Sequence, residues 1–405
     1  MECLGMFLRN AVWRVGLIGG SLVQANAASL TTRVLQPFID RHELAGAVTL
    51  VATGGKVLSL EAAGYADIGS KKPMTTDAVF WIASMSKPIA ATALMLLVDE
   101  GRVGLDDPVE KYLPGFSPQI MRANSDETHV ALEPPRQPIT VRQLLNHTNG
   151  IPNILPIETT LDHLPLALRV QSYSLAPLAF EPGTEYAYST AGINTAGRIV
   201  EVVSGVDYAA FLQRRLFDPL QMRDTTFWPD EAQVARLAKA YQPSDTGVDL
   251  VETSIRYLRS PLSDREHRYA VPGGGLFSTA SDLAKFCQMF LNDGNVGQRR
   301  ILSHAALAEM TRRQESIEIW EAAKQKIAPG NLSPNGYDGM GLGWGTRASG
   351  AYGHGGAYST AMLIDRPHGL ILIWLVQHNG FPGNGGKSRA AFETAAMESY
   401  KASAR

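Results

Sequence analysis

Short apolar runs near both ends of the chain predict two β-hairpins. In the first hairpin, the runs 47–52 and 57–60 flank the polar, glycine-containing turn 53–56. In the second, the runs 360–364 and 370–376 flank the similar turn 365–369. Helical apolar spacing at 30–39 and at 388–401 places one helix outside each hairpin. The strand signals therefore lie at the two ends of the sequence.

The interior of the sequence has helical apolar spacing, interrupted by loops rich in proline and glycine. The predicted helices are 89–100, 141–146, 191–203, 208–216 and 280–291. If the terminal strands pair antiparallel, the result is an α/β fold in which helices flank the sheet and a mostly helical lobe is inserted. We expect 28–80 and 270–405 to form the α/β lobe and 81–269 the helical lobe of one domain. A ligand site is expected in the cleft between the lobes.

The first residues have the pattern of a secretory signal peptide. Arg9 and Arg14 precede the apolar run 15–23, and Ala25-Asn26-Ala27 has the form of an A-x-A cleavage site. Cleavage after residue 27 would give a periplasmic or secreted protein. The alternative is an ordinary N-terminal helix, which would leave the protein in the cytoplasm.

Composition and charge narrow the possible partners. The chain has 405 residues, 45% of them hydrophobic and 19% charged, with a formal net charge of -2, so it is predicted to be globular. Without a basic or acidic run, neither nucleic acid nor an anionic membrane surface is an expected partner. Beyond the N-terminal segment, no stretch approaches the length of a membrane span. The sequence also predicts no disulfide, metal site or cofactor, since its two cysteines are Cys3 and Cys287 and its histidines lack ligand spacing.

Ser84-Met85-Ser86-Lys87 is the first candidate for chemistry. It precedes a long apolar helical pattern, which places Ser84 at the start of a helix and Lys87 on the same face one turn later. A serine hydroxyl needs an adjacent base to become a nucleophile, and a helix start offers N–H groups that favour developing negative charge. The alternative is that Ser84 is only the N-cap of the helix.

Two further segments are candidates for the same cleft. Tyr188 follows a Pro-Gly turn and lies at the junction with the helix predicted at 191–203, where its side chain can face a cleft. His354-Gly355-Gly356 lies before the last strands and lacks bulky side chains, which suits close approach of a ligand to the backbone. The alternatives are a tyrosine packed in the core and a tight turn.

Taken in order, the motifs at 84–87, 188 and 354–356 closely resemble the serine β-lactamase-like, penicillin-binding-protein-like family. This family includes class C β-lactamases, D,D-peptidases and family VIII carboxylesterases, and the resemblance spans nearly all of the chain after residue 27. Residues 140–152 and 273–283 also look like structural signatures of the family. The resemblance implies a β-lactamase/transpeptidase-like fold.

The resemblance also implies roles for individual residues. Ser84 would attack the acyl carbonyl, Lys87 and Tyr188 would remove its proton, and the N–H groups of Ser84 and Ala357 would form the oxyanion hole. Substrate-binding positions implied in the same way are His354, Gly355, Gly356 and Thr190. Which of Lys87 and Tyr188 is the resting base stays open, because such a pair titrates together.

Two departures from the family pattern bear on the substrate. The chain has His354-Gly355-Gly356 where β-lactam and peptide enzymes usually have K-T-G, so a titratable side chain replaces a fixed positive charge. At the third position of the motif that begins with Tyr188, members of the family often have asparagine, whereas this chain has Thr190. Because an ester needs little beyond a nucleophile, an oxyanion hole and an apolar pocket, we predict a carboxylesterase acting on small esters. The alternatives are a β-lactamase, a D-amino-acid peptidase or amidase, and a non-catalytic penicillin-binding or sensor protein.

Other predictions from the sequence concern structure alone. His147 is expected to brace a loop, and Ser281 or Asp282 to cap the following helix. Residues 117–136 and 313–335 are expected to be loops that shape the mouth of the pocket. The oligomeric state is left open.

Overall fold

A computed structural model of the chain describes residues 29–125, 129–152, 160–326 and 336–400. The strands are β1 (Gly46–Ala52), β2 (Val57–Asp67), β3 (Lys72–Pro73), β4 (Phe80–Trp81), β5 (Met121–Ser125), β6 (Val130–Glu133), β7 (Ala240–Pro243), β8 (Leu250–Thr253), β9 (Phe277–Ser278), β10 (Asn295–Val296), β11 (Arg299–Arg300), β12 (Gly339–Met340), β13 (Gly345–Thr346), β14 (Tyr352–Gly355), β15 (Ala361–Asp365) and β16 (Leu370–Leu375). The helices are α1 (Leu30–Asp40), α2 (Ser86–Asp99), α3 (Val141–Leu145), α4 (Leu166–Ser174), α5 (Thr190–Ser204), α6 (Tyr208–Leu212), α7 (Asp218–Leu220), α8 (Glu231–Ala235), α9 (Ala280–Leu291), α10 (His304–Thr311), α11 (Ile317–Lys326) and α12 (Ser388–Tyr400).

Both ends of the chain build one central sheet. Within the described ranges it has eight antiparallel strands in the order β12-β13-β14-β15-β16-β1-β2-β3. The predicted hairpins are β1–β2 and β15–β16, and they join where Leu50 pairs with Ile373. This arrangement confirms the predicted class, an antiparallel sheet flanked by helices with a mostly helical insertion.

Helices cover both faces of the sheet, and side chains alternate between two apolar clusters. In β16, Leu372 and Trp374 point into the cluster formed with α1 and α12, whereas Ile371 and Ile373 point into the larger core that includes α2, α5 and α9. This alternation is what a strand covered on both faces requires. The sheet is therefore the middle layer of the molecule.

Helix α2 runs through the large core and is buried from Ser86 to Leu97. A helix that is apolar on all sides is stable only inside a protein. It packs against α5 and is followed by the inserted elements of the helical lobe. The N-terminus of α2 is thereby held firmly in the interior, which matters for the residues just before it.

Three structural predictions are wrong in detail. Residues 117–136 are not simply a loop, because β5 and β6 form a hairpin there. The described part of 313–335 contains α11. Neither Ser281 nor Asp282 caps α9: the N-cap is Thr279, whose side chain accepts a hydrogen bond from the Asp282 N–H. The Asp282 carboxylate instead accepts from Asp224 N–H and from the Thr225 hydroxyl.

The predicted signal peptide, residues 1–27, lies outside the described residues, so export stays a prediction. Among the helices of the described ranges, none is both long enough and apolar enough to cross a membrane. The proposed boundary of the two lobes also stays a prediction.

Candidate active site

Ser84 lies in a tight turn immediately before α2. The turn is a short 3-10 segment, Ala83–Met85, and Ala83 has a left-handed backbone with φ of 46°. A non-glycine residue in this region is uncommon and often marks a functional turn. Met85, not Ser84, is the N-cap of α2, and its side chain makes no capping hydrogen bond. The reading of Ser84 as a simple helix cap is therefore wrong, and its hydroxyl is half-buried and available for chemistry.

Backbone and indole hydrogen bonds fix this turn against the segment 273–278. β4 pairs with β9, and the Ile82 N–H donates to the Leu276 carbonyl at 3.0 Å. The Trp81 indole N–H donates to the Gly274 carbonyl at 2.8 Å. The turn that carries Ser84 is thus attached to a glycine-rich loop on one side and continues into a buried helix on the other.

Lys87 is fully buried beside Ser84. Its Nζ donates to Ser84 Oγ at 3.1 Å and to the Gly273 carbonyl at 2.6 Å. Burial lowers the pKa of Lys87 from its ordinary value of 10.5 to about 7. In the described ranges no carboxylate forms an ion pair with Lys87 to oppose this effect. A substantial neutral fraction of Lys87 is therefore present near pH 7.

Tyr188 reaches Ser84 from the segment before α5. Its phenol interacts with the Ser84 side chain, and Lys87 Nζ lies 4.8 Å from the centre of its ring. Burial raises the pKa of Tyr188 above its ordinary value, although the interaction with the Ser84 side chain acts in the opposite direction. The phenol is accordingly protonated at neutral pH. Of the two candidate bases, Lys87 is the one that loses its proton more readily.

His354 lies on β14, with its ring centre 6.2 Å from that of Tyr188. Its Nδ1 is 2.7 Å from the Gly355 carbonyl, so Nδ1 carries the proton and Nε2 is left as an acceptor. Burial, and next the charge of Lys87, lower the pKa of His354 to about 3. The expected titratable charge at this position is therefore wrong: the imidazole is neutral throughout the physiological range.

The end of β14 passes close to the Ser84 turn. At Gly356, a Cβ atom would lie 2.5 Å from the Ile82 carbonyl and would also collide with Thr360 Oγ1. Gly356 is therefore needed for this approach. Ala357 follows on the exposed side, and among the described residues its N–H has no hydrogen-bond acceptor. This free N–H beside the Ser84 turn is suited to the predicted oxyanion hole.

Thr190 is the first residue of α5, and it contacts the glycine-rich loop. A Cβ on Gly273 would lie 2.6 Å from the Thr190 methyl group. Farther along α5, the Asn194 side chain accepts from the Gly273 N–H at 2.9 Å and donates to the Tyr173 hydroxyl at 3.1 Å. Gly273 is thereby held so that its carbonyl meets Lys87.

The structure brings all the predicted motifs together around Ser84, along with two contributors that the sequence did not predict. The Gly273 carbonyl, which binds Lys87, and Asn194, which holds Gly273, were not singled out. Three consecutive glycines at 273–275 are the signal that could have indicated close backbone approach at this point. Over the described ranges, no group of three His, Cys, Asp or Glu side chains has the arrangement of a metal site.

Comparison with known proteins identifies the family and the fold of the chain. The sequence profile of the Beta-lactamase family matches residues 31–396. Esterase EstB of Burkholderia gladioli is 29% identical over 399 residues, covering 91% of this chain and 96% of that protein. Penicillin-binding protein 4 of Amycolatopsis lactamdurans is 31% identical over 281 residues, covering 69% and 68%. The solved structure of EstCE1, a hydrolase with promiscuous acyltransferase activity, is similar with a TM-score of 0.72 and 25% identity, covering 91% of this chain and 97% of that one. The predicted β-lactamase/transpeptidase-like fold is confirmed.

Proposed function

We propose that this chain, which belongs to the Beta-lactamase family of serine hydrolases, is a carboxylesterase that forms an acyl-enzyme on Ser84. One observation carries the proposal: the Ser84 hydroxyl contacts both Lys87 Nζ, at 3.1 Å, and the Tyr188 phenol. A hydroxyl placed between a lysine with a pKa of about 7 and a protonated phenol can be both activated and reprotonated.

Acylation follows from these contacts. Neutral Lys87 takes the Ser84 proton as Oγ forms a bond to the acyl carbon, and the negative charge on the carbonyl oxygen is stabilised by the N–H groups of Ser84 and Ala357. When the ester C–O bond breaks, the Tyr188 phenol donates a proton to the leaving alkoxide and recovers one from Lys87. Water then attacks the acyl-enzyme by the reverse sequence and releases the acid.

The charge of the cleft favours an ester over a β-lactam or a peptide carboxylate. His354 is neutral, and Thr190 offers no amide at a position where one could hold an acyl side chain. A substrate carboxylate would therefore find no fixed positive charge from this motif, whereas a neutral ester needs none. EstB, named an esterase and similar over nearly its whole length, supports the same choice. β-Lactamase and D-amino-acid peptidase or amidase activity use the same acyl-transfer chemistry and are the alternatives.

The test is hydrolysis of p-nitrophenyl esters of increasing acyl length and of a chromogenic cephalosporin by wild type, Ser84→Ala and Ser70→Ala. Ser70 is an exposed serine and serves as the matched control. We expect ester turnover in wild type and Ser70→Ala, its loss in Ser84→Ala, and little cephalosporin turnover. Mass spectrometry after acid quenching should find the acyl group on Ser84.

Other results would point elsewhere. Cephalosporin turnover as efficient as ester turnover would support the β-lactamase alternative. A stable one-to-one penicillin adduct without turnover of any substrate would support the binding or sensor alternative. Ester activity that survives in Ser84→Ala would remove Ser84 as the nucleophile and refute the mechanism.

We also propose that residues 1–27 are a cleaved signal peptide and that the mature protein is periplasmic or secreted. The first described helix, α1, begins at Leu30, so cleavage would leave every described element intact. N-terminal sequencing of the protein isolated from its source should give Ala28 as the first residue, and an intact Met1 would refute the proposal.

A further inference from the structure

His147 makes backbone hydrogen bonds on both sides of Tyr188. The His147 carbonyl accepts from the Ala187 N–H at 3.0 Å, and His147 Nδ1 accepts from the Ser189 N–H at 3.1 Å. The imidazole also packs against the phenol ring, with 4.7 Å between ring centres. A single residue thus holds the chain before Tyr188, the chain after it and the ring itself.

Tyr188 needs such support because it lies in irregular backbone. Residues 185–189 belong to no helix or strand, and α5 begins only at Thr190. The phenol must nevertheless stay in contact with Ser84, and a displacement of about 1 Å at a catalytic group is enough to slow a reaction severely. The two hydrogen bonds to His147 fix the direction of the main chain from which Tyr188 projects.

The chemistry of His147 fits this role only in one form. Because Nδ1 accepts the Ser189 N–H, the proton is on Nε2 and the ring is neutral. Burial, and next the charges of Lys87 and His354, lower the pKa of His147 well below its ordinary value, which keeps that form in place. Nε2 is buried without a hydrogen-bond partner among the described residues. Among the described residues, the hydrogen bonding of the ring is therefore confined to Nδ1, on the segment that carries Tyr188.

The backbone of His147 restricts its replacement. Its φ is 65°, in the left-handed region that asparagine tolerates better than most side chains. Asparagine also places its Oδ1 near the position of Nδ1, whereas glutamine extends beyond it. His147→Asn therefore removes the imidazole but keeps the acceptor and the backbone geometry. His147→Gln also removes the acceptor and fits this backbone less well.

We propose that His147 is a positioning residue for the hydrolytic reaction, and that it acts by fixing Tyr188 against Ser84. The inference rests on the proposed function, since it assigns to Tyr188 the proton transfer described above. It assigns His147 no proton transfer of its own. Its effect on catalysis should consequently pass entirely through Tyr188.

The experiment compares His147→Gln and His147→Asn, each with Tyr188 intact and with Tyr188→Phe, using p-nitrophenyl butyrate as substrate. Because one general acid–base group contributes about 10²- to 10⁴-fold, we expect kcat to fall about 100-fold in His147→Gln with KM nearly unchanged. His147→Asn should recover most of this loss. In the Tyr188→Phe background, His147→Gln should cause almost no further loss, because the group it positions is already absent.

A buried histidine whose ring packs on another part of the fold provides the matched control. His378 Nε2 accepts from the Ala45 N–H at 3.2 Å, and its ring stacks on Phe381. His378→Gln should lower the thermal unfolding midpoint while keeping kcat within a few-fold of wild type. Unfolding midpoints of the His147 variants show whether each one is folded, and His147→Asn keeps the test informative if His147→Gln does not fold.

The outcomes separate the two proposals. Wild-type kcat in His147→Gln, or an equal further loss in the Tyr188→Phe background, would overturn the positioning role and leave the esterase proposal intact. Wild-type activity in Tyr188→Phe alone would instead overturn the assignment of Tyr188 in the proposed mechanism.

Discussion

Replacing Lys87 with methionine should make the protein more stable and at the same time inactive. Methionine has a similar length and no charge, so it fits the buried site between Ser84 and Gly273 without the cost of burying an ammonium group. In the proposed mechanism, wild type carries that cost because Lys87 has to supply a neutral amine. The cause is a buried lysine that has no carboxylate partner among the described residues.

The size of the effect depends on pH in a defined direction. Lowering the pKa of Lys87 from 10.5 to about 7 corresponds to about 5 kcal/mol of unfolding free energy. The unfolded state holds the additional proton between these two values, so the cost is complete below pH 7 and disappears as the pH rises to 10.5. Methionine also forfeits two hydrogen bonds, each of about 1 kcal/mol. The variant should thus gain about 3 kcal/mol below pH 7 and lose this advantage by about 1.4 kcal/mol per pH unit above it.

The assay is urea unfolding of wild type and Lys87→Met at pH 6 and at pH 9.5. We expect a clear rise in the midpoint for the variant at pH 6 and almost none at pH 9.5. Lys56→Met is the control, because Lys56 is exposed in the turn between β1 and β2 and its replacement should change little at either pH. An advantage of equal size at both pH values, or a less stable variant at pH 6, would refute the reasoning.

Three further predictions concern activity and stability. In a stopped-flow pH profile, the ester kcat/KM should rise about tenfold per pH unit below pH 7 and reach a plateau above it, because Lys87 loses its proton there. A fall in kcat/KM before pH 9 would contradict the proton assignments. Gly273→Ala should reduce kcat more than tenfold, because its Cβ would lie 2.6 Å from the Thr190 methyl group. Adding Thr190→Ser removes that methyl group and should restore part of the rate, and a failure to do so would contradict the steric account. In chemical unfolding, Asp162→Asn should lower the unfolding free energy by about 3 to 5 kcal/mol, because it breaks the buried ion pair with Arg268 at 2.6 Å. A change below about 1 kcal/mol would show that the pair contributes little.

The elements that the sequence predicted well are those with a clear apolar pattern. In β1 and β16 this pattern is a short continuous apolar run, and in α5 and α9 it is apolar residues at helical spacing. Shorter elements were missed. In the hairpin β5–β6, β6 has only four residues, all of them exposed, and shows no alternation of apolar and polar positions that would mark a strand.

In the candidate site, the sequence predicted side chains but not the backbone group that meets them. Ser84, Lys87 and Tyr188 could be predicted to lie together because their residue types carry chemistry in a known order. The Gly273 carbonyl could not, because every residue has a carbonyl and only the fold decides which one meets an ammonium group. The neutral state of His354 was also beyond the sequence, since it results from burial and from the proximity of Lys87.

The pairing of β1 with β16 also bears on how the chain is made. Leu50 meets its partner Ile373 only after more than three hundred further residues have been synthesised. Until then, one edge of β1, an apolar strand that is fully buried in the folded protein, has no partner strand. Such an unpaired edge can bind other chains and cause aggregation. The active-site helix α2 is complete long before the sheet beside it. A chain that stops before β16 therefore leaves one edge of β1 without its partner strand.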